Sequence, residues 1–145
     1  MNDLSKIPGR FDVVFSSLAV HYVADWNKLC REVSKLGEYF IFSQEHPLTT
    51  APIKGYCWTK DENGKRIYYN LSDYAKNGRR ETMWFVDGVI KYHRTFSEIV
   101  NALTSNGFII EKALEPIPDE ETIKRLQLED NLHKPNFLLI RAKKA

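Results

Sequence analysis

Residues 10–47, RFDVVFSSLAVHYVADWNKLCREVSKLGEYFIFSQEHP, constrain the fold more than any other stretch of the chain. Phe11-Asp12-Val13-Val14-Phe15 is almost wholly apolar and rich in β-branched and aromatic residues, the pattern of a parallel strand covered on both faces. Ser16 and Ser17 follow, then a turn through His21 and Tyr22. Asp25 can cap a helix whose apolar stripe is Trp26, Leu29, Cys30, Val33 and Leu36, with Gly37 at its end. Tyr39-Phe40-Ile41-Phe42 reads as a second strand, running out into Ser43-Gln44-Glu45-His46-Pro47. Ligands of open α/β sheets bind in the crevice outside the carboxyl ends of the strands. The polar residues just past each strand therefore stand where half of a ligand site is expected.

Further on, Thr95-x-x-Glu98 is a capping box for a helix that turns Phe96, Ile99, Val100 and Leu103 inward and ends at Asn106-Gly107. Phe108-Ile109-Ile110 opens another strand, stopped by Pro116 and Pro118. Asp119 to about His133 reads as a charged surface helix, and Phe137 to Arg141 as the final strand. Residues 48–94 are broken repeatedly by proline and glycine. Asn63-Gly64 suits a type I′ hairpin turn, and Asp87-Gly88 a second turn between Thr82–Val86 and Val89–His93. The aromatics Tyr56, Trp58, Tyr68, Tyr69, Tyr74, Trp84, Phe85 and Tyr92 crowd this segment. They either line a lid over an apolar or planar ligand or simply pack a small subdomain.

Composition removes several function classes. The 145 residues make one domain's length, enough to bury about 70% of the unfolded surface. The net charge is only +2, and scattered Lys and Arg give no stripe to track a nucleic-acid backbone. No apolar run approaches the ~20 residues that cross a bilayer, and the N-terminus carries no apolar signal segment. Cys30 and Cys57 are the only cysteines, and no His/Cys cluster has zinc spacing, so no metal site is expected. Cys30 reads as a buried thiol on its helix face. Free thiols without an export signal point to the cytoplasm.

FDVVFSSLAVHYVADW, FIFSQEHP, YHRTFSEIVNALTSNGF, Ala113-Leu114-Glu115-Pro116 and the closing strand Pro135–Lys143, in that order, resemble the C-terminal half of the class I S-adenosylmethionine-dependent methyltransferases. The resemblance implies an α/β, Rossmann-like methyltransferase sheet of about four strands, the last one antiparallel. Residues 48–94 would be a loop-rich lid inserted in a single partial domain spanning 1–145. It also implies a small-molecule methyl acceptor. The family's GxGxG cofactor loop has no counterpart, since no two of the glycines at 9, 37, 55, 64, 78, 88 and 107 are close enough. The acidic residue that would hold the ribose hydroxyls is missing too. The chain thus reads as a methyltransferase cut in half, binding S-adenosylmethionine weakly or not at all and inactive alone. The rival reading is a non-catalytic remnant that binds itself or another chain.

The same resemblance places Ser16, Ser17 and Leu18 beside the methionine portion of the cofactor, where the bland alternative is a local serine turn. His21 could serve as a base toward the acceptor, imidazole titrating near neutrality, or could simply pack the helix entry. Glu45 and His46 leave the second strand at the same crevice edge and form the best acid–base pair by type and position. Tyr22 is expected on the substrate side. Tyr92, His93 and Arg94 could return to the mouth from the lid, with Arg94 clamping a carboxylate or phosphate or else ending a strand in solvent.

The expected strand order is first, second, last, third, with the helices from Asp25 and Thr95 on one face. With the family's preceding strand and covering helices absent, the edge Phe11–Phe15 keeps unpaired amides and carbonyls, and self-association through it is expected.

Overall fold

The computed structural model describes residues 4–54, 58–83 and 87–145. A four-stranded mixed sheet forms its centre. Strand β1 (Phe11–Ser16) runs parallel to β2 (Gly37–Glu45). Strand β8 (Phe137–Lys144) lies antiparallel between β2 and β7 (Phe108–Leu114), giving the order β1-β2-β8-β7. The expected sheet, with its last strand inserted between the second and third, is the observed one.

Helix α1 (Trp26–Leu36) begins where Asp25 accepts the Lys28 amide at 2.8 Å. Its inward stripe packs on Phe40 and Phe42 of β2 and on Leu138, Ile140 and Ala142 of β8. Helix α3 (Phe96–Ser105) brings Ile99 and Leu103 to the same core, so both helices cover one sheet face. The Trp26 indole N–H donates to the Ile99 carbonyl at 3.2 Å and ties the two helices together. Thr95 caps α3 by accepting the Glu98 amide at 3.2 Å. The reciprocal half of the capping box is replaced, because the Thr95 amide donates to Asn77 Oδ1 at 2.9 Å. Cys30 is fully buried, and burial pushes its thiol up to about 12, so it is inert packing.

The other face is apolar and open. Phe11, Val13, Phe15, Ile109, Leu114 and Phe137 are all exposed, Phe15 by 69%. Strand β1 is therefore covered on one face only: Val14 packs into the core while its odd-numbered neighbours face outward.

Residues 48–94 stand apart from this sheet. Helix α2 (Pro47–Thr50) leads into two hairpins, β3 (Trp58–Lys60) with β4 (Arg66–Tyr69), and β5 (Gly78–Thr82) with β6 (Val89–His93). The first hairpin is not closed by a type I′ turn. Asp61 Oδ1 accepts the amides of Asn63 and Lys65, the Gly64 amide donates to the Asp61 carbonyl, and only Gly64 takes positive φ, at 80°. That is a five-residue loop, 61–65, whose fourth residue is a left-handed glycine. In the second hairpin, the strand before the turn starts earlier than expected, at Gly78. Tyr56, Cys57, Trp84, Phe85 and Val86 lie outside the described residues.

The surface helix is shorter than its charge pattern suggested. Helix α4 spans Glu120–Leu126 and stops at Gln127, whose φ of 54° is left-handed; a 3-10 turn over Glu129–Leu132 follows.

Candidate functional site

The chain leaves β1 through Ser16-Ser17-Leu18. Leu18 adopts φ 48°, a conformation that costs a branched, bulky residue on the order of 1–3 kcal/mol. It is held there because its amide donates to both the carbonyl and the hydroxyl of Ser43, each at 3.0 Å. The turn sends the 3-10 segment Val20–Tyr22 across the end of β2. Ser17 is exposed, with its hydroxyl 3.5 Å from that of Ser43. Ser16 Oγ is enclosed and has no hydrogen-bond partner.

His21 is buried at the end of β2. Its Nδ1 accepts the Glu45 amide at 3.4 Å, which puts the proton of the neutral ring on Nε2. Burial pushes this imidazole down to about 4, against the opposing pull of Glu45. At neutral pH His21 is therefore a donor through Nε2, with its Nδ1 lone pair already engaged. That geometry does not suit the base role expected of it. Tyr22 lies against it with ring centroids 4.2 Å apart and leaves 43% of its surface open.

Glu45 and His46 do not form a pair: Glu45 is the last residue of β2, and His46 caps α2. Glu45 accepts from the Lys91 ammonium of β6 at 2.6 Å, in an ion pair withdrawn from solvent on both sides. His46 turns to Glu115, its Nε2 donating at 2.8 Å, while its Nδ1 caps α2 by accepting the Leu48 amide at 3.1 Å. Burial lowers its pKa, and Glu115 partly restores it.

The residues at the end of segment 48–94 take structural places. His93 is fully buried, with Nε2 donating to the Tyr74 carbonyl at 2.9 Å and Nδ1 accepting the Thr50 hydroxyl at 2.8 Å. Arg94 is buried as well. Its guanidinium donates to the carbonyls of Val23 and Ala24 and lies over the Trp26 ring at 5.7 Å, so it clamps the entry of α1 rather than a ligand anion. Tyr92 stands on the opposite side of β6 from Lys91 and His93. The structure thus gathers Ser16, Ser17, Leu18, His21, Tyr22 and Glu45 at the strand ends, and commits the side chains of His46, His93 and Arg94 to other partners. Lys91 and Ser43 belong to the cluster and were missed. The signal for Lys91 was its place two residues before His93, hence on the same strand face.

A cleft of about 760 Å3 lies elsewhere, between the N-terminal ends of α1 and α3, lined by Asp25, Asn77, Thr95, Glu98 and Asn101. It reaches none of the strand-end residues. Among the described residues, no three His, Cys, Asp or Glu side chains gather as metal ligands, and no helix is long and apolar enough to cross a membrane.

No protein-family model matches the chain. A structure of an S-adenosylmethionine-dependent methyltransferase from Mesorhizobium loti superimposes with a TM-score of 0.82 at 40% identity, over 92% of this chain and 62% of that one. A candidate methyltransferase of the same kind from Listeria monocytogenes superimposes with a TM-score of 0.87 at 35% identity, over 99% of this chain. The chain has the Rossmann-like fold of these methyltransferases, over part of their length. It spans 65% of the Listeria protein, and 57% of an uncharacterized protein from Haemophilus influenzae to which it is 35% identical over 145 residues. The glycopeptide N-methyltransferase MtfA, solved with S-adenosylhomocysteine, shares the fold alone, with a TM-score of 0.55 at 13% identity. In this methyltransferase sheet, the Ser16–Tyr22 turn and Glu45 sit at the carboxyl ends of the two parallel strands, where open α/β sheets bind ligands.

Proposed function

We propose that this chain carries the acceptor-side part of an S-adenosylmethionine-dependent methyltransferase that acts on a small molecule, and that alone it holds the cofactor weakly. The supporting observation is the strained Leu18 turn, which joins Ser43 and sets Ser16, Ser17, His21 and Glu45 around the ends of β1 and β2. When bound, the cofactor supplies an electrophilic methyl group on a sulfonium. The exposed Ser17 hydroxyl fits its amino or carboxyl group, whereas Ser16 Oγ is enclosed and would support the turn from within. The Leu18 amide is already committed to Ser43, so that residue offers its side chain. Nothing in the sequence fits the ribose and adenine, because no GxGxG occurs. Those groups would be held by residues outside this sequence.

Methyl transfer is a displacement whose main demands are alignment and desolvation. The buried Glu45–Lys91 pair fastens hairpin β5–β6 to the end of β2 and keeps water from that side. His21 offers a fixed N–H at Nε2.

A chimaera tests the reading. This chain replaces the matching part of the Mesorhizobium loti methyltransferase, and cofactor binding is measured by calorimetry. The chimaera should bind S-adenosylmethionine at micromolar concentration, while the chain alone should bind no tighter than about millimolar, near −4 kcal/mol. Micromolar binding by the chain alone, or a folded chimaera without binding, would overturn it.

A further inference from the structure

A cavity of about 360 Å3 opens where β7 ends and β8 begins. Pro116, Ile117, Leu128 and Phe137 supply carbon walls, and Asn131 and Asn136 its polar side chains. The cavity is accessible, since Ile117 keeps 53% and Phe137 40% of their surface exposed. It also lies on the ligand edge of the sheet. Strand β8 is antiparallel to β2, so Phe137, its first residue, pairs with Glu45, the last residue of β2. At about 4.8 Å per strand, Phe137 stands two spacings, about 10 Å, from β1.

The lining fits an apolar group. Among the described residues, no charged side chain lines the cavity, and Glu115, beside Pro116, is turned to His46 at 2.8 Å. Both carboxamides are engaged within the protein. Asn136 Nδ2 donates to Asn131 Oδ1 at 2.6 Å, and Asn136 Oδ1 accepts from the Lys134 ammonium at 2.6 Å. Asn131 Nδ2 donates to the Leu128 carbonyl at 3.0 Å. An ionic or many-hydroxyl ligand would give up its water for few partners there, at a net cost. The wall is also braced by the rest of the chain. Hairpin β3–β4 holds residues 130–134 through the Arg66–Asp130 ion pair, the edge of Trp58 on the His133 ring and the Lys134 ammonium over Tyr69 at 5.0 Å. Trp58 and Tyr69 thus stiffen the cavity without lining it. Its volume is near the lower end of the roughly 300–1,000 Å3 of pre-formed ligand sites, which suits a single ring system.

We propose that this cavity seats the uncharged, apolar end of the methyl acceptor, a single ring or short branched chain, about 10 Å across the sheet from β1. That the ligand is the acceptor rests on the methyltransferase reading; that the cavity binds an apolar group does not. The open sheet face around Phe11, Val13 and Phe15 is a separate surface, since none of the three lines the cavity. A polyol of the same ring size is rejected because its hydroxyls find the carboxamides already engaged.

The probes are cyclohexanol and myo-inositol, which share a six-membered ring and differ in hydroxyls, each added at about 20 mM, the range of a weak fragment, to the isotopically labelled chain. Methyl and amide resonances of Ile117, Leu128, Asn131 and Asn136 are followed by NMR. Cyclohexanol should move them and inositol should not. Ile117→Asp should weaken cyclohexanol binding at least about tenfold, because it sets a carboxylate in the apolar wall, and Ile117→Leu should keep it. Val13→Lys, on the open sheet face, should leave it unchanged. The response should persist in the Mesorhizobium loti chimaera. Equal shifts from both probes, no shift with cyclohexanol, or an undiminished response in a well-dispersed Ile117→Asp spectrum would overturn the proposal. So would loss of the response in the chimaera, which would make the cavity a seat for the rest of the fold. A chimaera that binds cyclohexanol but not S-adenosylmethionine would sink the methyltransferase reading and leave the cavity's ligand class standing, so the two failures are distinct.

Discussion

A β-carbon placed on Gly37 would lie 2.7 Å from Cγ2 of Val14. The glycine stands at the junction of α1 and β2, with ordinary extended dihedrals, so its role is close approach rather than unusual backbone. That contact lets the helix pass into the strand with no connecting residue. Gly37→Ala should destabilise the fold by about 1–3 kcal/mol, the usual cost of overpacking. Val14→Ala combined with it should recover part of the loss. Urea denaturation of the two single variants and the double variant checks this.

Three buried histidines should make the fold acid-sensitive. Burial lowers the pKa of His21, to about 4, and lowers those of His46 and His93. Each is neutral in the folded chain while its unfolded counterpart titrates near 6.5. The unfolded state therefore binds more protons below that value. Stability is fully present above about pH 6.5 and is lost as pH falls toward 4. His21 alone should account for on the order of 2–3 kcal/mol of this. Thermal melts between pH 7.5 and 4.5 should show the decline, and His21→Gln should flatten it.

Arg94 should behave as a structural residue. Arg94→Met removes the donors from the Val23 and Ala24 carbonyls and should cost about 2–4 kcal/mol. Arg94→Lys should rescue little, since one ammonium cannot reproduce a planar fork. The Trp26 emission should shift in both variants, because the guanidinium lies over that ring.

The chain alone should self-associate. The outer edge of β1 has no partner strand among the described residues, and the open sheet face exposes Phe11, Val13 and Phe15 together. Covering a few hundred Å2 of such surface is worth about 25 cal/mol per Å2, several kcal/mol in all. Light scattering at micromolar concentration should show species larger than a monomer, and Val13→Lys should reduce them. A monodisperse wild-type monomer would count against this.

The sheet was legible because its signals are local and redundant. FDVVF and YFIF are strands by composition, Asp25 and Thr95 are helix starts by side-chain chemistry, and their order matches one fold. The hairpins were legible only as turns. Asp61 captured the loop that Asn63-Gly64 alone would have closed in two residues. The charge pattern after Asp119 did not reveal Gln127 in its left-handed turn. The site was half legible. Residues at strand ends could be named from the pattern, but which atoms remain free could not, because that depends on partners far along the chain. Thr50 claims His93, Glu115 claims His46, and the carbonyls of Val23 and Ala24 claim Arg94. Lys91 was overlooked because a lysine in a short strand ordinarily reads as its solvent side.

Strand β8 follows every other strand of the sheet in sequence, yet lies inside it, between β2 and β7. During synthesis the sheet must wait. Until Phe137–Lys144 clears the ribosome, β2 and β7 have no strand to join them, and α1 and α3 lack Leu138, Ile140 and Ala142 beneath them. Until then the growing chain, lengthening at about 5–20 residues per second, holds its sheet in two parts, joined only through contacts such as Trp26 with Ile99 and Glu45 with Lys91. Assembly is completed by a stitch made at the end, and premature termination just before Phe137 would leave a product without a seam.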